Sequence, residues 1–348
     1  MDCKYFQTKD ELSLKICCLT YNLHGISLTK SQINELLTPH KRKKFDIYVI
    51  STQESERSIF WNILYWDKSN FEMNLAQFFG KEYVRLRTET LGGVYLIIFL
   101  KSIHKNYFYN YHKDYVKTGF YGLLGNKGAV GIGFKLYNIS FMFINCHLCS
   151  GFDYVLNRNY DFDYIKKNIH PNLDLIDIVI WMGDFNYHVN KTVEEINEIY
   201  NNKKEMTLIE HDQMINEIKN YNLKAFGYKE GKIKFLPTYK YYENETYKIC
   251  CDSLEHIPSW TDRIIYKINE KKFHLIEHDE HERGINESYE NKEGSYYNES
   301  KDIILSHEEE EINSKEEENF SQNEYNSMQN INFSDHKPVY AYFFVNIK

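Results

Sequence analysis

The chain has only five prolines and sixteen glycines in 348 residues, so much of its length should be regular structure. It has no long apolar stretch. The longest uninterrupted run, Val94 to Leu100, is far too short to cross a bilayer as a helix. No apolar signal region follows Met1-Asp2-Cys3-Lys4-Tyr5, which points to a reducing, cytoplasmic setting. Cysteine offers no disulfide framework: seven is an odd number, and Cys17-Cys18 and Cys250-Cys251 are adjacent pairs. Cys146-His147-Leu148-Cys149 lacks a second ligand pair at zinc-finger spacing, so its thiols read as reduced groups at a strand end. No internal repeat is visible.

A strong positive bias is also missing. The formal net charge is −8, but residues 277–332 alone hold seventeen acidic and four basic side chains, leaving the remainder near +5. A mildly basic body suits an anionic substrate and falls short of the bias of a nucleic-acid binder. What is abundant is tyrosine (30) and phenylalanine (22), within a hydrophobic share of 42% that is enough for a sizeable core.

Strand-like runs occur at Leu14–Thr20, Ile47–Ser51, Val94–Leu100, Ala129–Leu136, Ile139–Asn145, Ile176–Trp181, Arg263–Tyr266, Lys272–Ile276 and Val339–Val345. Helical patterns occupy Lys30–Leu37, Ile59–Phe79, Tyr154–Ile169 and Val193–Asn220, the last broken near Asn201. Strands outnumber helices without steady βαβ alternation. The pattern therefore predicts an α/β fold of two packed, mainly antiparallel sheets flanked by helices. Residues 277–332 differ in kind: Glu-, Asn- and Ser-rich and poor in apolar groups, they read as a disordered acidic insertion within a single domain spanning 1–348.

Two short words carry the chemistry. Gly183-Asp184-Phe185-Asn186 follows the apolar run ending at Trp181, and Ser334-Asp335-His336-Lys337-Pro338 precedes the run from Val339. Side chains at strand ends sit at the rim of a sheet, where α/β proteins build sites on a rigid scaffold. Two carboxylates, an amide and an imidazole there could hold a metal, place a water and meet developing charge. Alone, Gly-Asp-x-Asn is often a mere turn; a buried strand before it and a partner motif downstream favour catalysis.

In order, the remaining words are Thr20-Tyr21-Asn22, Gln53-Glu54, Gly125-Asn126-Lys127-Gly128, Asn145-Cys146-His147, Arg158-Asn159, Pro237-Thr238-Tyr239-Lys240-Tyr241 and Pro258-Ser259-Trp260-Thr261-Asp262-Arg263-Ile264. Together they closely resemble the catalytic domain of the inositol polyphosphate 5-phosphatases, within the DNase I-like phosphoesterases. The resemblance runs from about Lys15 to Phe344. It implies the four-layer α/β sandwich of that group and removal of the 5-phosphate from phosphoinositides or soluble inositol polyphosphates, with Mg²⁺ as cofactor.

The resemblance further implies Glu54 as principal metal ligand with Asn22 beside it, Asp184 as the group that orients and deprotonates water, and Asn186 as a hold on the scissile phosphate. His336 and His147 would contact that phosphate, with Asp335 orienting the His336 imidazole or supporting the metal. Asn126, Lys127, Arg158, Asn159, Tyr239, Lys240 and Arg263 would bind substrate, and Lys127, Lys240 and Arg263 would grip the neighbouring 4-phosphate. Taken singly, each of these three is a surface charge.

The chain departs from the family pattern at His188, where Arg is usual, at Thr261, where Cys is usual, and at Cys149-Ser150-Gly151 after His147-Leu148. The apolar stretch Gly119-Phe120-Tyr121-Gly122-Leu123-Leu124-Gly125 reads equally as a buried connection or as a loop dipping into a lipid surface. A monomer peripheral to the cytosolic face of membranes, with no nucleic-acid partner, is expected. Rival readings are a nuclease or sphingomyelinase of the same superfamily, and a phosphoinositide-binding pseudophosphatase.

Overall fold

A computed structural model describes residues 12–55, 68–119, 124–219, 227–242, 244–245, 248–275 and 318–347. Phe120–Leu123, the start of the expected helix at 59–79, and most of the acidic segment lie outside the described residues.

The apolar runs form strands buried on both faces. In β2 (Ile47–Gln53), β7 (Ile139–His147) and β8 (Ile178–Asp184) every residue is buried, and in β4 (Val94–Lys101) all but the last. Such strands need cover on both sides. One sheet orders β11 (Phe273–Leu275), β12 (Glu318–Ser327), β13 (Val339–Ile347), β1 (Leu12–Asn22), β2, β4 and β3 (Tyr83–Leu91). The other orders β5 (Phe108–Gly119), β6 (Leu124–Leu136), β7, β8, β10 (Asp262–Ile268) and β9 (Lys229–Glu230). Pairing is antiparallel except at β1–β2, β7–β8 and β11–β12.

Between the sheets lie Leu14, Ile16, Val49 and Ile98 from one side and Ile132, Phe143, Ile180 and Ile264 from the other. Helices α1 (Lys30–Lys41) and α2 (Lys68–Phe79) flank the first sheet over Leu36, Tyr48, Phe79 and Ile97. Helices α3 (Val155–Asn168) and α5 (Gln213–Lys219) flank the second over Phe162, Trp181 and Met214. Each fully buried side chain of this size contributes about 1.5–3 kcal/mol. The result is the four-layer sandwich the sequence predicts. Thr29 and Gln32 close a capping box at the start of α1, and Thr192 and Glu195 do so for α4 (Val193–Asn201). The expected break after Asn201 separates α4 from α5.

The acidic segment is shorter than its composition suggests. Residues 318–327 form β12, paired with both β11 and β13, and Phe320 is fully buried against the inter-sheet core. Tyr325 donates to Glu230 and accepts from the Ile264 amide. Ladder hydrogen bonds and a few apolar anchors order a stretch that is otherwise polar.

Candidate active site

The parallel crossovers β1–α1–β2 and β7–α3–β8 bring four strand ends to one rim. They deliver Asn22, Glu54, His147 and Asp184, with His147 opposite Asp184 in register. Two antiparallel neighbours deliver their beginnings to the same rim: Asp262 opens β10 directly opposite Asp184, and Asp335-His336 precede β13. Gly183 makes this close assembly feasible. Its φ is +140°, and a Cβ there would lie 2.1 Å from the Cys146 carbonyl oxygen. Glu54 (φ 48°) and Asn186 (φ 56°) also adopt the left-handed region, a strained choice for non-glycine residues that clusters at functional sites.

Asp184 stands at the centre. Asn22 Nδ2 donates to its Oδ2 at 2.9 Å, the Asn186 amide donates to Oδ1 at 2.9 Å, and His147 Nε2 lies 3.5 Å from Oδ2. Burial and repulsion from Asp262 push its carboxyl up to about 6, while His336, Lys127 and Asn22 restrain the rise. A carboxylate poised near neutrality suits a general base. Facing it, His336 Nδ1 is bonded to Asp262 Oδ2 at 2.8 Å. Burial opposes the imidazolium, but Asp262, Asp335 and Asp184 outweigh it and raise His336 to about 10. Its ring packs against Tyr239 at 4.6 Å. Thr238 and Thr261 both donate to the same Asp262 oxygen. His147, buried beside the Lys127 ammonium, is held well below its usual range and stays neutral.

Carboxylates converge a short way off. His24 Nδ1 lies 3.6 Å from both Glu54 Oε2 and Asp335 Oδ1, and Glu54 Oε1 lies 3.6 Å from His147. Burial would raise Glu54, but His24, His147 and Lys127 hold it well below the usual carboxylate range. This oxygen-rich corner, beside which Asn22 Oδ1 accepts the His24 amide at 3.0 Å, fits a hard divalent cation. Lys127 and Lys240 flank the centre, Lys240 Nζ being 3.5 Å from Asp335 Oδ2. Asn186 Nδ2 donates to the Leu148 carbonyl at 3.0 Å. Asn126 and Lys127 line a cavity of about 550 Å³ with Asn157, Tyr160 and Asp161.

Three expected substrate contacts are corrected. Arg263 follows Asp262 on a strand, so it points the opposite way. Fully buried, it bonds Glu230 at 2.5 and 2.6 Å and Asp212 at 3.0 Å. Arg158, also fully buried, donates to the carbonyls of Cys149, Gly151 and Phe152 and to Gln213, pinning the loop after His147. Asn159 joins Tyr187 to Glu217 on α5. Neither guanidinium faces the rim. Asp335, moreover, is not the partner of the His336 Nδ1 atom; Asp262 is.

Two groups at the site escaped the sequence reading. Asp262 is written in the same word as Arg263, and its position opposite Asp184 gives it away only once the register is known. His24, two residues beyond Asn22, carries its imidazole to Glu54. At the departure site, His188 is buried, pushed down to about 3 by burial and Arg158, and lies edge-on to Tyr239. It supports the aromatic wall of the site as a neutral group.

A profile of the Endonuclease/Exonuclease/phosphatase family 2 matches residues 19–342. Human synaptojanin-1 is 30% identical over 293 residues, covering 76% of this chain and 18% of that protein. The Saccharomyces cerevisiae polyphosphatidylinositol phosphatase INP53 is 34% identical over 262 residues, 71% of this chain and 23% of that one. The chain thus spans about a fifth of the length of these relatives. The inositol polyphosphate 5-phosphatase domain of SPsynaptojanin, crystallised with inositol (1,4)-bisphosphate and calcium ion, superposes with a TM-score of 0.73 at 26% identity, covering 97% of this chain and 86% of that one. Cimex nitrophorin shares the fold alone, with a TM-score of 0.63 at 18% identity.

Proposed function

Because this chain belongs to the Endonuclease/Exonuclease/phosphatase family 2, we propose that it is a divalent-metal-dependent phosphomonoesterase, with Mg²⁺ as the metal, that removes the 5-phosphate from phosphoinositides or soluble inositol polyphosphates. One observation carries the reading: a carboxylate held near neutrality, Asp184, faces a cationic imidazole paired to Asp262, with a carboxylate corner alongside.

Asp184, held by the Asn22 amide, takes the proton of a water aimed at phosphorus. His336 stays cationic and meets the negative charge that develops on the phosphoryl oxygens, and Asp262 keeps it so. Lys127 adds a second positive charge and donates to His147 Nε2, and burial together with that charge keeps His147 neutral. The metal, held by Glu54 with Asn22 and Asp335 beside it, would supply charge neutralisation at the scissile phosphate and the departing inositol oxygen. Lys240, 3.5 Å from Asp335, would present a point charge suited to an adjacent phosphomonoester. Among the described residues no helix is long and apolar enough to cross a membrane.

Phosphate release from a panel of inositol phosphates and phosphoinositides, with and without Mg²⁺, tests the proposal. Release confined to 5-phosphorylated substrates and abolished by chelator is expected, as is a loss of about 10²–10⁴-fold in Asp184→Asn. Hydrolysis of DNA or sphingomyelin in preference to every inositol substrate would overturn it.

A further inference from the structure

A second constellation lies on the segment leading to β10, on the far side of Lys240 from the carboxylate corner. Cys250 Sγ is 3.7 Å from Asp252 Oδ2, and Asp252 Oδ1 is 2.5 Å from His256 Nδ1. One ligand atom from each residue lies within 4.8 Å of the others. Around a tetrahedral zinc a thiolate and a carboxylate oxygen stand about 3.5 Å apart, and a carboxylate oxygen and an imidazole nitrogen about 3.3 Å. Here the Asp252 carboxylate spans the two partners with separate oxygens, Oδ2 toward the thiol and Oδ1 toward the imidazole. Turning that exposed carboxylate against a His256 that is only half-buried would offer one oxygen to an ion between them.

We propose that Cys250, Asp252 and His256 form a binding site for a thiophilic divalent cation of the zinc class. The three side chains fill three positions of a tetrahedron and leave the fourth to water, and binding releases the thiol proton to solvent. The donor sets of the two metal sites differ. The corner at Glu54 offers oxygens and selects a hard ion, whereas a thiolate and an imidazole select a softer one. The Cys250 amide donates to the Lys240 carbonyl at 2.9 Å, and His256 Nε2 lies 3.4 Å from Lys240 Nζ. An ion on Nδ1 therefore fixes the imidazole that faces Lys240 and stiffens the wall from which that lysine reaches the rim.

The site involves no substrate, so its test is independent of the phosphatase reading. The full chain, held in Mg²⁺ buffer, is titrated with Co²⁺ and watched for thiolate-to-cobalt charge-transfer absorption in the near ultraviolet. The expected result is a band that saturates at one equivalent and is erased by Zn²⁺. Cys250→Ser should abolish the band. Asp252→Asn, at an exposed position that cannot unfold the chain, should weaken Co²⁺ binding at least ~10-fold. Cys251→Ser and Glu54→Gln should leave the band intact. Absence of the band in the wild-type chain, its survival in Cys250→Ser, unchanged affinity in Asp252→Asn, or its loss in Cys251→Ser would each overturn the assignment.

Discussion

Replacing Asp262 by Asn removes one negative charge from the His336 pair and almost nothing else. The amide is isosteric, and its oxygen can still accept from Thr238 and Thr261, which donate at 2.7 and 3.0 Å. The electrostatic consequence is large. Asp262 is the foremost of the groups that hold His336 at about 10 against the effect of burial; with Asp335 and Asp184 still raising the imidazole and burial lowering it, its ordinary 6.5 sets the scale of the loss. At pH 8 the protonated fraction then falls from nearly all to about 3%, a loss of about 30-fold in any step that needs the imidazolium. At pH 6 about three quarters of the imidazole remains protonated, and the loss from this cause nearly vanishes.

The neighbouring carboxylate moves as well. Asp184 owes part of its rise to about 6 to repulsion from Asp262, so the acid limb of the variant should also shift downward. The wild-type profile of kcat/KM should rise near pH 6 and fall near pH 10, while that of Asp262→Asn should peak below pH 6.5. The assay is initial-rate phosphate release from inositol 1,4,5-trisphosphate between pH 5 and 10, at constant ionic strength and saturating Mg²⁺. A variant that loses the same factor at pH 6 and pH 9, with its alkaline limb unmoved, would refute the proposed electrostatic role of Asp262.

Three further outcomes follow from the geometry. Arg263→Ala leaves the Asp212 and Glu230 carboxylates without their shared cation and should cost about 3–5 kcal/mol in urea unfolding, while the folded fraction keeps its ratio of activities on 4,5- and 5-phosphorylated substrates. Lys240→Ala should do the reverse: normal stability, and a loss of about 10- to 100-fold in kcat/KM that appears on substrates with a neighbouring phosphate and not on one bearing only the 5-phosphate. Deleting 284–309 should leave the thermal transition cooperative, since about sixteen residues remain for the return between the parallel strands β11 and β12; extending the deletion to 330 removes β12 with its Phe320 anchor and should abolish that transition.

The rim was legible from sequence because its residues are marked by what precedes or follows them. Asp184 ends a run of fully buried residues, and Asp335-His336 lead into the apolar, mostly buried run of β13, so their positions follow from hydrophobic pattern. Pairings across strands are another matter. The sequence offers Asp335, next in the chain, either to orient the His336 imidazole or to support the metal, whereas the His336 Nδ1 partner comes from β10, 74 positions away. Arg263 was drawn into the site by its place in a dense motif, but adjacent residues of a strand face opposite ways, and Asp262 took the inward direction. β12 escaped notice for a further reason. A window averaged over 277–332 is dominated by glutamate, while the strand rests on ladder bonds and on a few apolar groups such as Phe320 and Tyr325.

The two sheets contribute four residues each to the candidate site, and the bonds that join them pass through the site itself. The first sheet supplies Asn22, Glu54, Asp335 and His336, and the second supplies Lys127, His147, Asp184 and Asp262. Asn22–Asp184 and His336–Asp262 each cross from one sheet to the other, and beneath them Gln53 donates to Asn145 across the same gap at 2.6 Å. The spacing of the proposed base, imidazolium and metal corner is therefore set by how the sheets pack, by Ile16, Val49, Phe143 and Ile180 as much as by any loop. Close-packed interiors transmit small volume changes as displacements. A site stitched across a core in this way inherits the rigidity of that core, which is the preorganisation that stabilising a developing phosphoryl charge requires.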